Sequence, residues 1–399
     1  MSLTLSRKAS QVKPSSTLAI TAKANELKAQ GLDVVGFGAG EPDFKTPENI
    51  KDAAHKAIND NQTKYTAASG MPLLKKAVSD KFARFNHVNY DPSQIVISNG
   101  GKHTLMNVFS AILNPGDEVI IPAPFWLSYP EMVKLVDGVP VFVRCDASQS
   151  YKITPKQLRE ACTEKTKAFV LTTPSNPTGM VYSPDELAEL AKVIVEKDIF
   201  VIADEIYENL VYDDNKAVSI ASLGEDIYNH TITCNGMAKG YSMTGWRIGY
   251  CGAPKDVAKL MSSVQSHQTS NPNTIAQFAA VEALNGPQES VEMMRQEFDN
   301  RRQVMYNRIS AMPYLSMLKP QGAFYAFVDC SRLIGKKHKG VEITDISVFA
   351  KILIEEYLVA VVPCGDFGFD DHIRLSYATS LEQINKGLDR ISECLNNLE

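Results

Sequence analysis

The chain has 399 residues, 44% of them hydrophobic and 22% charged, an ordinary globular composition long enough for a large core or two unequal lobes. A formal net charge of −5 leaves no broad basic surface, which excludes non-specific nucleic-acid binding as an expected activity. Met1 to Ser15 holds no apolar run of signal-peptide length and no later stretch reaches membrane-spanning length, so the expectation is a cytoplasmic protein without a membrane partner.

In chain order, Gly36-Phe37-Gly38-Ala39-Gly40 follows an apolar run and invites comparison with a dinucleotide-binding fingerprint. Glu-Pro-Asp-Phe comes next, with proline where the fingerprint needs a helix start, so a nicotinamide oxidoreductase is rejected. Ile95-Val96-Ile97 is a short β-branched run that stops at Asn99-Gly100-Gly101, and Thr104 to Leu113 has helical spacing. Glu118 to Ile121 and Ala168 to Leu171 read as strands, the second ending in the Pro/Asn turn Pro174 to Gly179. Ser183-Pro184-Asp185-Glu186 joins a capping serine, a first-turn proline and a glutamate that can reach back, just ahead of the apolar face Leu187, Leu190, Ala191 and Ile194. Ile199 to Ala203 and Thr231 to Cys234 are further strands.

This alternation predicts an α/β fold: a large domain with a mainly parallel sheet flanked by helices. Val291, Met294, Phe298, Met305 and Ile309 then predict one long helix between 287 and 309. Strands near 323–328, 359–362 and 373–376 complete a smaller α+β domain. The expected division is a large domain over 46–295 and a small one made of 1–45 and 296–399. The seven cysteines are scattered and never form C-x-x-C, so neither a disulfide framework nor a metal site is expected.

Three strand-like runs end near polar residues: Asn176 after the first, Asp204 after the second, Lys239 after the third. Side by side in a parallel sheet, such ends converge on one pocket, where ligands of open α/β sheets bind. An amine, a carboxylate and an amide together suit carbonyl chemistry through a Schiff base, because a desolvated lysine near another cation has the lowered pKa a nucleophilic amine needs.

The strings around these residues are S-N-P-T-G at 175–179, A-D-E-I-Y at 203–207, N-G-M-A-K-G-Y-S-M-T-G-W-R-I-G-Y at 235–250 and R-L-S-Y-A-T-S at 374–380. They resemble the class I aminotransferases, fold type I pyridoxal-phosphate enzymes, and most of all the bacterial aspartate aminotransferase branch. The resemblance runs from A-G-E-P-D-F at 39–44 to the C-terminal arginine block. It implies a pyridoxal 5'-phosphate cofactor held as a Schiff base by Lys239, which then shuttles the substrate proton. Asp204 would face the pyridine nitrogen, and Tyr207 and Asn176 the cofactor's 3-oxygen. Trp126 would stack on the ring. Gly101 and Lys102 at a helix start, Arg247, and Tyr65 from a neighbouring subunit would hold the phosphate, which implies a homodimer with shared active sites. Arg374 would anchor the substrate carboxylate beside Gly40, and Lys102, with Lys13 and Ser16, would read the second carboxylate of aspartate or glutamate.

The implied reaction is transamination of aspartate with 2-oxoglutarate; prephenate or arogenate, a broad aromatic range, or a β-lyase on the same fold are the alternatives. Two departures from the family pattern stand out. Gly236, Met237 and Ala238 precede the lysine where many members place a serine for the phosphate, and Pro363-Cys364-Gly365 replaces the commoner Pro-Gly ahead of Arg374.

Overall fold

The computed structural model describes residues 4–399. Its large sheet has seven strands: β1 (Ile95–Ser98), β2 (Glu118–Ala123), β3 (Val139–Arg144), β4 (Thr166–Thr172), β5 (Phe200–Asp204), β6 (Thr231–Gly236) and β7 (Gly249–Gly252). Their spatial order is β1-β7-β6-β5-β4-β2-β3. The pairs β3–β2, β2–β4, β4–β5 and β5–β6 are parallel, while β7 runs antiparallel to both β6 and β1. Apolar side chains from both faces are buried: Val96, Ile121, Ile202 and Ile232 lie in one cluster, and Ile120, Phe169, Val201 and Ala203 in another. Strands read as continuous apolar runs for that reason.

The helix Pro184–Lys197 starts as its sequence dictates. Ser183 Oγ accepts from the Glu186 amide at 3.2 Å and Glu186 Oε2 accepts from the Ser183 amide at 2.7 Å, while Leu187, Leu190, Ala191 and Ile194 are buried. The predicted long helix spans Glu289–Ser310 with its apolar face buried.

Strand β7 was not anticipated, because a run containing Gly249 and Gly252 has little β propensity. Its glycines are required by what they touch. A Cβ on Gly249 would collide with the Gly100–Gly101 backbone, and one on Gly252 with the Tyr90 ring.

The second sheet is antiparallel: Tyr325–Asp329 lies between Ser316–Met317 and His372–Ser376, with Val362–Pro363 at the far edge. The apolar run 359–362 is split rather than continuous. Val359–Ala360 pairs in parallel with Val35–Gly36, and Val362–Pro363 turns to pair with His372–Ser376. That split is what binds the N-terminal segment to the C-terminal sheet, and Val35 and Phe37 join one core with Phe324, Leu353 and Leu388. Among the described residues no helix is long and apolar enough to cross a membrane.

Candidate active site

Strands β4, β5 and β6 lie side by side, and register pairs Thr172 with Asp204 and Asp204 with Cys234. Asp204 is thus the last residue of the middle strand, with its side chain buried. Its Oδ2 accepts from Tyr129 Oη at 2.6 Å and its Oδ1 from the Ile206 amide at 3.2 Å. Burial raises its pKa, which Tyr129, the Ile206 amide and Lys239 oppose. Among the described residues it enters no salt bridge. A buried carboxylate held only by neutral donors is set to receive a cation.

Lys239 follows β6, and its Nζ donates to the Gly40 carbonyl. Burial chiefly brings this amine down to about 8; Glu41 pulls it up, Arg374 and Arg247 push it down, and Asp204 pulls it up again. The amine therefore lies within the electrostatic reach of Arg374, Arg247 and Asp204. It also sits 5.8 Å from the Tyr207 ring centroid and 5.6 Å from that of Phe324.

Arg374, only 2% exposed, leaves the second sheet beside it. Nη1 donates to Asn176 Oδ1 and Nη2 to the Gly38 carbonyl, both at 3.0 Å, and its guanidinium lies 4.4 Å from the Tyr325 ring centroid. Its Nε has no partner, and among the described residues no carboxylate pairs with it. A buried guanidinium with neutral acceptors and an idle N–H is a socket for a carboxylate. Tyr207, buried, shares a 2.9 Å hydrogen bond with the Tyr325 hydroxyl.

The anion end is built by the helix Gly101–Ile112, which begins at the C-terminal end of β1. Gly100 has φ 87°, a conformation glycine adopts freely, and a Cβ there would run into the Arg247 guanidinium. Arg247 itself has φ 55°, with Nη1 donating to the Thr244 carbonyl at 2.8 Å and Nη2 to that of Asn99 at 3.4 Å. The helix N-terminus and the guanidinium meet there, and the two acceptors of Arg247 are neutral carbonyls. Lys102 lies close by, its Nζ 5.0 Å from the Trp126 ring centroid; partial burial and then Arg247 hold its amine below the ordinary lysine value.

The strand ends thus gather Lys239, Asp204, Tyr207, Asn176, Arg374 and Gly40, with Gly101, Arg247, Lys102 and Trp126 at the anion end. Three further residues from the sequence reading have other immediate surroundings. Tyr65 is 91% exposed. The Lys13 amide donates to Glu131 Oε2 at 3.0 Å, in a groove that Lys102 and Trp126 do not line. Ser16 Oγ is buried without a partner at the start of the helix Ser16–Ala29.

Gly236, Met237 and Ala238 offer no hydroxyl ahead of Lys239, and Met237 is packed in the core. Cys364 is buried, its amide donating to the His372 carbonyl at 2.9 Å, and leads into the short helical turn Gly365–Phe367. Sequence reasoning missed Tyr129, Thr172 and Tyr325. Tyr129 had a signal: one helical turn beyond Trp126, its ring lies edge-on to the indole at 5.3 Å. Its hydroxyl bridges Thr172 at 2.8 Å and Asp204.

A family model described as aminotransferase class I and II matches residues 32–391. The chain is 49% identical to an aspartate aminotransferase of Bacillus sp. (strain YM-2), over 97% of this chain and 98% of that one. It is 47% identical to an aspartate/prephenate aminotransferase of Cereibacter sphaeroides, over 97% of each. A crystal structure of the aspartate aminotransferase from Rhizobium meliloti superposes with a TM-score of 0.97, at 41% identity and full coverage of both chains.

Proposed function

Because the chain belongs to the class I and II aminotransferase family, we propose that it transfers the amino group of aspartate to 2-oxoglutarate, giving oxaloacetate and glutamate, with pyridoxal phosphate as its cofactor. The observation that carries this reading is the Lys239 amine, lowered to about 8, set near a buried carboxylate and a buried guanidinium that have no ion-pair partners of their own. The chain's residues fit the cofactor. Asp204 lacks the cation that a protonated pyridine nitrogen would be, and the Gly101 helix end with Arg247 lacks the anion that a phosphate would be.

When bound, pyridoxal phosphate supplies an aldehyde that receives the amino group and a ring that withdraws electrons from the substrate α-carbon. Arg374 grips the α-carboxylate with its guanidinium fork, beside Gly40, and so orients the α-carbon toward Lys239. Lys239 would take the substrate α-proton on Nζ and hold it for return; an amine lowered to about 8 can accept and release a proton close to neutrality. Asp204 would hold a protonated ring nitrogen, and Tyr129 and the Ile206 amide keep the carboxylate in place. Tyr207 and Asn176 would bind the 3-oxygen, Trp126 would cover the ring, and Arg247, Gly101 and Lys102 would hold the phosphate without a serine next to Lys239.

Tyr65 belongs to a neighbouring active site in a homodimer. Its segment is tied down, Thr274 Oγ1 donating to the Lys64 carbonyl at 2.8 Å and Gln277 to Thr66 Oγ1 at 3.1 Å, yet the tyrosine ring is left exposed. Lys102 meets the second carboxylate of aspartate, with Lys13 and Ser16 brought in by the N-terminal segment. A division into 46–295 and the remainder is supported by the two sheets falling on either side of it. A cytoplasmic location is supported by seven unpaired cysteines. A second reading, in which prephenate also serves, is favoured by the Cereibacter relative's similarity over nearly its whole length.

The test is a half-reaction panel. Holoenzyme mixed with aspartate, glutamate, arogenate and an aromatic amino acid should convert from the aldehyde to the amine spectrum fastest with aspartate. Conversion by arogenate alone would replace the aspartate reading, and release of pyruvate from a cysteine conjugate without a keto acid would indicate a lyase.

A further inference from the structure

Behind the strand end that carries Asp204 lies a second cluster of charged side chains, all buried, that the reaction above does not use. Lys81 ends the helix Pro72–Lys81 and Asn86 closes the π-helical turn Phe82–Asn86 that follows. Lys81 forms an ion pair with Glu208, their side chains 6% and 3% exposed, and donates to Asn86 Oδ1 at 2.8 Å. Asn86 Nδ2 donates both to Glu208 Oε2 at 2.7 Å and to Glu205 Oε2 at 3.2 Å. The remaining oxygen of Glu205 makes no hydrogen bond of good geometry; its polar neighbour there is the Ser219 hydroxyl, itself otherwise unpaired.

The charges do not balance. Two carboxylates share one amide and one ammonium, and among the described residues no salt bridge brings a second cation to either. The other titratable groups around them are Tyr90, Tyr241, Tyr250 and Cys234, all pushed upward by burial and so neutral, together with Asp204 itself. An unpaired buried carboxylate takes up a proton sooner than bear the desolvation cost.

We propose that Glu205 is the protonated member of this cluster, and that the neutral Glu205 together with the Lys81–Glu208 pair forms a positioning device that fixes the segment from Asp204 to Tyr207. The segment is clamped at both ends: Asp204 ends β5 on the cofactor side, Glu205 and Glu208 anchor it on the other, and Tyr207 lies between. Burial first, and the Glu208 charge second, raise the Glu205 carboxyl, with Ser219 and Lys81 opposing and Asp204 adding to the rise, to about 8. A proton on Glu205 also removes a negative charge next to Asp204. The positioning role rests on the aminotransferase reading; the proton does not.

The sign of the pH effect follows. Glu205 titrates near 4.5 when unfolded and about 8 when folded, so between those values the folded state holds a proton that the unfolded state has released. Its contribution to stability is fully present below 4.5 and is lost as pH rises through about 8.

Infrared titration of the wild-type holoenzyme, with and without carbon-13 glutamate, tests the proton directly. A protonated-carboxyl band that shifts with the glutamate label at pH 7 and disappears near pH 8 is expected; its absence at pH 7 overturns the proposal. Glu205→Gln should remove that band and flatten the fall of Tm between pH 6 and 9. The wild type is expected to lose kcat as Glu205 ionises, and the turnover of Glu205→Gln should lack that alkaline fall, with KM unaltered. A kcat profile parallel to wild type, alongside a flattened Tm, would leave the proton standing and reject the positioning role. Infrared bands unaffected by aspartate chemistry separate failure here from failure of the functional reading.

Discussion

Asp204 and Glu205 are adjacent in sequence and nearly equal in burial, yet the chain treats them in opposite ways. Asp204 faces the Lys239 pocket with only Tyr129 and a backbone amide as donors; Glu205 faces the other side, beside Asn86 and the Lys81–Glu208 pair, where a proton rather than a ligand balances the excess carboxylate. A buried charge whose partners are all internal stabilises or positions the fold. One that lacks a counter-charge marks where a ligand must supply it. Arg374 follows the same rule: compare Arg302, as deeply buried, which pairs with Asp213 and Asp299 at 2.8 and 2.5 Å.

The contrast can be broken by exchanging charge for its neutral isostere on each side. Asp204→Asn should lower kcat/KM for aspartate by ~10²–10³-fold, the scale of losing a preorganised electrostatic partner of the reacting centre. Glu205→Gln at pH 7 should stay within a few-fold of wild type, since the amide resembles the protonated acid. Equal losses in steady-state kinetics would erase the distinction. Next in size, Arg374→Lys keeps a cation but loses the fork and should cost about 10²-fold in kcat/KM while leaving cofactor binding intact; loss of the cofactor instead would move Arg374 from substrate to fold. Lys102→Ala should raise KM for aspartate by about tenfold and barely alter it for an aromatic amino acid, an effect the size of one charged hydrogen bond. Equal changes for both substrates would remove Lys102 from side-chain recognition.

The smallest effect is in pH. The apoprotein should take up pyridoxal phosphate faster as pH rises, levelling off above about 8, because only the unprotonated Lys239 amine attacks the aldehyde. A rate still climbing toward the ordinary lysine value of 10.5 would mean that the pocket does not desolvate the amine.

The sequence made the parallel strands and their polar ends legible because buried strands are apolar runs and their ends are marked by turn residues: Asn176, Asp204 and Lys239 each follow such a run. Strand β7 was not legible, since its glycines are chosen by contact with Gly100, Gly101 and Tyr90 rather than by strand propensity. The run at 359–362 looked like one strand because each residue is apolar; that it serves two sheets depends on Val35–Gly36, far away in the chain. Tyr129 and Tyr325 were missed for a related reason. Their roles come from which polar atom lies across the pocket, a long-range pairing that local pattern does not carry. The cluster around Glu205 was hidden in the same way, in a motif read only for its aspartate and tyrosine.

The central claim is that Lys239, and no other lysine, is the amine that engages the cofactor. Reconstituting the protein with pyridoxal phosphate, reducing it with borohydride and mapping the labelled peptide tests this most directly. The label should fall on Lys239 alone, at one equivalent per chain, and aspartate added before the reductant should prevent it. A label on Lys102 or spread over surface lysines, or one that aspartate leaves unchanged, would contradict the account.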